Sequence, residues 1–198
     1  MSVGNGAPRV ACILLAAGMG TRFGGDKLLH MVDGRPMAAH AIELHAAAPY
    51  IHRILVTQRR HETLAALAAA NGFCVSYNDE PERGIASSIR IGAALLAASG
   101  IRPDDVLFGV CDQPYLGRDT LRRLLDAFAA SPARIVAPCH AGRRGNPVIF
   151  PARFLPALSA LTGDTGGSAI IRANPEALLL VPVADERELI DIDRRPRA

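Results

Sequence analysis

Val10-Ala11-Cys12-Ile13-Leu14-Leu15-Ala16-Ala17-Gly18-Met19-Gly20-Thr21-Arg22-Phe23-Gly24-Gly25-Asp26-Lys27 is the stretch whose reading decides the fold. Val10 to Ala16 is an unbroken apolar run ending near glycine, as expected of a strand buried on both faces of a parallel sheet. A glycine-rich loop follows and ends on Lys27, the only lysine of the chain; the other basic residues are all arginine. Lysine is a compact charge on a thin stem, whereas arginine is a wide planar fork. A loop that must place one charge among phosphate oxygens has reason to keep the former. In open α/β sheets ligands bind outside the carboxyl ends of strands, which is where this loop falls. A glycine-rich surface turn with charges on it would read the same way.

Two phosphate-binding fingerprints fail here. A P-loop needs Gly-Lys followed by Ser or Thr, but Lys27 stands between Asp26 and Leu28. A dinucleotide fingerprint needs a third glycine where Phe23 stands.

Outward from this loop the chain alternates. Pro36 opens a helix over 37–47, then come a strand at 53–57, a helix at 61–71 and a strand at 73–77. A helix at 87–98, a strand at 105–110, a helix at 120–130 and a strand at 134–138 follow. The alternation predicts an α/β fold: a sandwich with a mostly parallel central sheet, in one domain spanning residues 1–198. Residues 1–9 are expected to be flexible. Beyond residue 140 the pattern loosens to a strand at 147–150, helices at 152–161 and 167–173, and strands at 178–183 and 189–192.

A formal charge of +3 with scattered arginines gives no ground for nucleic-acid or membrane binding. Cys12, Cys74, Cys111 and Cys139 contain no C-x-x-C pair, so a zinc ribbon or a dithiol redox motif is not expected. Cys12, Cys74 and Cys139 read as small buried hydrophobes in strand-like runs. The six histidines lack ligand spacing and read as core or surface residues. The Val10–Ala17 run is too short to span a membrane, and the expected location is the cytoplasm.

Asp112 follows the apolar run Val106 to Val110, so it points into the crevice that holds the first loop. Magnesium takes one or two carboxylates together with phosphate oxygens and water, which makes Asp112 a candidate ligand. A cap near Gly117 is the other reading. Asp191-Ile192-Asp193 read as a strand puts both aspartates on one side, where they repel unless a cation separates them; exposed acidic surface is the alternative. Ser87 or Ser88 can cap the helix that follows Gly84. Arg143-Arg144-Gly145-Asn146-Pro147 is a basic turn, and Gly163-Asp164-Thr165-Gly166-Gly167 is a second glycine-rich loop.

Taken in order, these segments resemble the MobA-like nucleotidyltransferases, and within them the molybdenum cofactor cytidylyltransferases. The matching residues are Leu15-Ala16-Ala17-Gly18 with Arg22, Gly24 and Lys27; Gly84 to Arg90; Asp112-Gln113-Pro114; Arg144 to Phe150; Gly163 to Gly166; and Asp191-Ile192-Asp193. Cys111, where the family has glycine, and Arg194-Arg195 after the last motif depart from the pattern. The resemblance implies a three-layer α/β/α sandwich with a Rossmann-like sheet of the nucleotide-diphospho-sugar transferase type. It implies transfer of a nucleotide from a nucleoside triphosphate, with Mg²⁺ and release of pyrophosphate. Leu15, Ala16, Ala17, Gly18, Gly20 and Ser88 would meet the nucleotide, and Arg22 and Lys27 its phosphates. Asp112 would bind the metal with Asp193, and Asp191 in reserve. Arg144, Asn146, Gly163 and Asp164, in the part spanning ~140–190, would face the acceptor. Ala17 inclines the expectation to CTP, with a molybdopterin-type acceptor and a molybdenum hydroxylase as client. The alternatives are GTP, another acceptor such as a sugar or alcohol phosphate, and a silent cofactor-binding maturation factor.

Overall fold

A computed structural model describes residues 9–21 and 23–193. The elements in chain order are β1 (Val10–Ala16), β2 (Met31–Val32), β3 (Arg35–Pro36), α1 (Met37–Ala46), β4 (His52–Thr57), α2 (Glu62–Ala70) and β5 (Cys74–Tyr77). They continue as α3 (Ile85–Ala98), β6 (Asp105–Val110), α4 (Arg118–Ala130), β7 (Ile135–His140), β8 (Arg143–Arg144), β9 (Val148–Pro151), α5 (Leu155–Ser159), α6 (Ser168–Ala173) and β10 (Leu178–Pro182).

The main sheet runs β10-β7-β9-β6-β1-β4-β5, with β8 hydrogen-bonded to β7. All neighbours on this path are parallel except β9, which runs against both β6 and β7. β1 lies at its centre, and alternate residues of that strand enter different cores. Cys12 and Leu14 pack with Ile42 of α1, Leu64 of α2 and Phe128 of α4. Ala11 and Ile13 pack with Ile89 of α3, Leu158 of α5 and Ile171 of α6. Two helical layers therefore cover the sheet, and the expected α/β/α sandwich is what forms. Burial on both faces explains why β1 reads as one apolar run. Gly92 in mid-α3 serves this packing: a Cβ there would lie 2.6 Å from Ile13 Cγ2.

The chain leaves β1 toward β4 and β5, then crosses back through α3 to β6 on the other side of β1. That reversal opens a crevice at the carboxyl ends of β1 and β6. The register pairs Leu15 with Val110, so the strands end together and Ala17 comes level with Asp112.

Several local expectations change. Residues 189–192 form no strand: a 3-10 turn covers Glu186–Leu189, with the Asp185 carboxylate accepting from the Arg187 N–H. The next groups bond elsewhere, Leu189 O to the Gln113 amide and Ile192 N–H to Asp112 O. The helix expected over 152–161 divides into a 3-10 turn, Ala152–Phe154, and the short α5, with Pro156 at its start. Two hairpins add to the expected elements. β2–β3 turns at Asp33-Gly34 and β7–β8 at Ala141-Gly142, each with two consecutive positive φ angles. Cys74 is exposed on the edge strand β5, not buried. Residues 1–8, expected to be flexible, lie outside the described residues. Among the described residues, no helix is long and apolar enough to cross a membrane.

Asp105, the first residue of β6, is 2 % exposed and its Oδ2 has no partner among the described residues. Burial, with Asp104 beside it, raises its pKa from 3.8 to about 7. A carboxyl that holds its proton more tightly when folded penalises the folded state once ionised. Stability from this group is therefore intact below pH ~4 and falls as pH rises toward 7. Asp105→Asn is expected to flatten that slope and to stabilise the protein at pH 8. The bound is about 4 kcal/mol, at about 1.4 kcal/mol per tenfold change in proton affinity. Urea unfolding of both proteins across pH 4–8 checks this; parallel curves would contradict it.

Candidate active site

The loop after β1 is held by side chains from β4 and the turn that follows it. The Thr57 hydroxyl donates to Ala16 O at 3.2 Å. The Gln58 amide donates to Ala17 O at 2.8 Å and to Gly18 O at 3.2 Å. Planar trans peptides then turn the N–H groups of Ala17, Gly18 and Met19 the opposite way, away from Gln58. His61 is buried, 3.2 Å from the Thr57 hydroxyl and 3.6 Å from Asp26. Burial lowers its pKa, and Asp26 opposes that only in part. Further along, Phe23, Val32 and Met37 form a small core of their own, against which Ile192 packs. This core ties the glycine-rich loop to the C-terminal segment.

These residues wall a cavity of about 370 Å³. Leu15, Ala16, Ala17, Gly18, Gly20 and Lys27 line it, together with Ser88, Asp112 and Asp193. The residues expected at the nucleotide and the metal thus converge, apart from Arg22, which lies outside the described residues. α3 presents its N-terminus here. Gly84, at φ +83°, is its N-cap, and no side chain caps the helix. Ser87 and Ser88 sit inside its first turns, where both hydroxyls accept from the buried Asn78 amide, at 2.7 and 2.9 Å.

At the centre, Lys27 Nζ lies 2.8 Å from Asp112 Oδ2 and 2.7 Å from Asp193 Oδ1. The three residues are 11, 26 and 53 % exposed, so the bond to Asp112 is the better shielded. Burial pulls the Lys27 pKa down, but hydrogen bonds to both carboxylates outweigh it and leave the pKa raised. Asp112 Oδ1 is buried with no partner among the described residues. A buried carboxylate oxygen left unpaired is costly unless something binds it. Asp112 and Asp193 therefore suit a hard divalent cation that completes its shell with phosphate oxygens and water. Among the described residues no group of three or more His, Cys, Asp or Glu is arranged to hold a metal alone.

A second cavity, of about 230 Å³, adjoins the first across Leu15, Ile85 and Val110. Its apolar wall includes Phe108, Phe150 and Ile171, and its polar groups include Arg144, Asn146, Ser168, Gln113 and Asp191. Arg144 donates to the Ser168 hydroxyl at 2.8 Å. Burial first, and Arg172 second, lower its pKa. Asp191 differs from its expected place. It lines this cavity and not the first, and its Oδ1 accepts from the Gln113 amide at 2.8 Å. Burial, then the nearby Asp112, raise its pKa. Asp164, expected at the acceptor, lines the first cavity, while Gly163 O accepts from the Ala86 N–H in the first turn of α3.

Gln58, His61 and Asn78 join the site without being among the residues expected there. All three directly follow or lie just beyond strands that end at this crevice, and that position is the signal the sequence offers. Cys111 is buried, and burial and Asp112 push its thiol above its ordinary range, away from the thiolate form that a nucleophile needs.

Comparisons with known proteins show the family and the fold. The chain is 31 % identical over 201 residues to nicotine blue oxidoreductase of Paenarthrobacter nicotinovorans, covering 94 % of this chain and 93 % of that one. It is 35 % identical over 144 residues to the molybdenum cofactor guanylyltransferase of Shewanella sp. strain MR-4, covering 72 and 68 %. Rv0371c of Mycobacterium tuberculosis H37Rv superposes with a TM-score of 0.78 at 24 % identity, over 96 and 94 % of the two chains. A manganese complex of that protein superposes at 0.73 and 22 % identity, over 88 % of each. The model of the MobA-like NTP transferase domain matches residues 12–178, and this chain belongs to that family.

Proposed function

We propose that the protein is a divalent-metal-dependent nucleotidyltransferase that moves CMP from CTP to a molybdopterin-type acceptor. The observation that carries this reading is Lys27 drawn between Asp112 and Asp193 in a cavity floored by a glycine-rich loop. The family and the guanylyltransferase relative support the reaction class and the acceptor. The nucleotide is argued from Ala17, whose side chain is buried beside the loop. The resemblance carries that argument: in this family Ala-Ala-Gly at these positions goes with CTP and Ala-Gly-Gly with GTP.

In this reading the N–H groups of the loop and Ser88 orient the nucleotide, and Lys27 neutralises the phosphates. Asp112 and Asp193 would hold magnesium, which offsets the repulsion between an anionic acceptor and the α-phosphate. An acceptor oxygen bonds to the α-phosphorus as the bond to the bridging oxygen breaks, and pyrophosphate leaves. No protein nucleophile is needed; positioning and charge carry the reaction. The second cavity, with its apolar wall and Arg144, would seat the acceptor. A molybdenum hydroxylase would receive the product.

Calorimetric titration with CTP, GTP, ATP and UTP, each with Mg²⁺, tests the nucleotide. Preference for CTP is expected; preference for GTP would keep the reaction and overturn the base. The likeness to nicotine blue oxidoreductase favours a second reading, an oxidoreductase whose substrate sits in the second cavity. The Lys27–Asp112–Asp193 set has no part to play in hydride transfer, which ranks this reading second. Oxidation of NADH or NADPH with such a substrate, without triphosphate binding, would reverse the order.

A further inference from the structure

We infer that the Lys27 ammonium bridges Asp112 and Asp193 as a surrogate cation, so that a divalent metal acquires both carboxylates only together with the nucleotide. This deepens the nucleotidyltransferase reading and rests on it for the ligand that draws the lysine away. Lys27 lies 85 residues from Asp112 and 166 from Asp193 in sequence, yet its Nζ is within 2.8 Å of an oxygen of each. It takes Asp112 Oδ2 and Asp193 Oδ1, so one oxygen of each carboxylate that would hold a metal is already engaged by the ammonium.

A metal ion and an ammonium cannot share those oxygens, because like charges a few ångströms apart in a partly buried site repel strongly. Either the lysine turns away or the metal makes do with Asp112 Oδ1. A triphosphate resolves the conflict. It offers the lysine phosphate oxygens in place of the two carboxylates, and it brings oxygens that complete the metal's shell. Metal and nucleotide then load as one unit.

The test is titration with Mn²⁺ followed by electron paramagnetic resonance of the free ion. It uses the wild type, Lys27→Met and Asp112→Asn, with no nucleotide and then with CTP or GTP. Without nucleotide, Lys27→Met is expected to bind Mn²⁺ at least tenfold more tightly than the wild type. The wild type is expected to gain at least tenfold when nucleotide is added, and Asp112→Asn to lose the tight site. Lys27→Met binding Mn²⁺ no more tightly than the wild type would overturn the inference. Lys27→Gln replaces it if circular dichroism shows that Lys27→Met does not fold. The arm without nucleotide decides the matter whatever the transfer activity proves to be. A wild type that binds no triphosphate would sink the nucleotidyltransferase reading instead.

Discussion

Asp112→Asn is expected to lower kcat/KM for nucleotidyl transfer about 10³-fold or more, with little change in the fold. The carboxylate sits at the end of β6, level with the loop after β1, and one of its oxygens is buried without a partner among the described residues. Charge placed in advance where charge develops is the largest single contribution to this kind of chemistry. Asparagine keeps the size and removes the charge. Lys27 retains Asp193, so the loop stays tied to the C-terminal segment through that bond and through Ile192. Steady-state kinetics with Mg²⁺ and a thermal melt of the same sample check both halves. Activity within tenfold of the wild type would remove Asp112 from the mechanism.

Gly84→Ala is expected to destabilise the protein by about 3 kcal/mol, a fall in Tm of roughly 6–12 °C for a chain of this size. Two effects combine. The residue has φ +83°, which side-chain-bearing residues rarely adopt. Its new Cβ would also press on the Asp164 carboxylate and lie 2.5 Å from the Gly163 carbonyl carbon and oxygen. That contact docks the second glycine-rich loop on the N-terminus of α3, so nucleotide affinity should fall as well. Gly142→Ala separates the two effects. Its φ is +80°, but nothing lies within 4 Å of a new Cβ. Strain alone should destabilise by about 1 kcal/mol there. Equal melting temperatures for the two variants would show that the docking contact contributes nothing.

The sandwich is legible in the sequence because β1 and β6 are buried on both faces and so read as unbroken apolar runs. The clustering of Lys27, Asp112 and Ser88 follows from strands that end together, and motif order leads to the same cluster. What the sequence hides has physical reasons. Asp191-Ile192-Asp193 alternates like a strand, yet its Ile192 N–H donates to Asp112 O and the nearby Leu189 O accepts from the Gln113 side chain, contacts that no local pattern reveals. The same segment sends Asp193 to one cavity and Asp191 to the other. Gln58 acts by holding backbone carbonyls and His61 lies buried against the Thr57 hydroxyl, so neither shows a ligand-like spacing. The β2–β3 hairpin does carry a local signal, Asp33-Gly34 between apolar residues, which the strand–helix alternation overshadows.

The most direct test of the central claim is a transfer assay with α-phosphate-labelled CTP and GTP, Mg²⁺ and molybdopterin, reading label in the product and pyrophosphate together. The account predicts that label moves to the acceptor, with one pyrophosphate released per transfer and CTP ahead of GTP. Triphosphate binding without label transfer or pyrophosphate release would contradict it and leave a cofactor-binding protein in place of an enzyme.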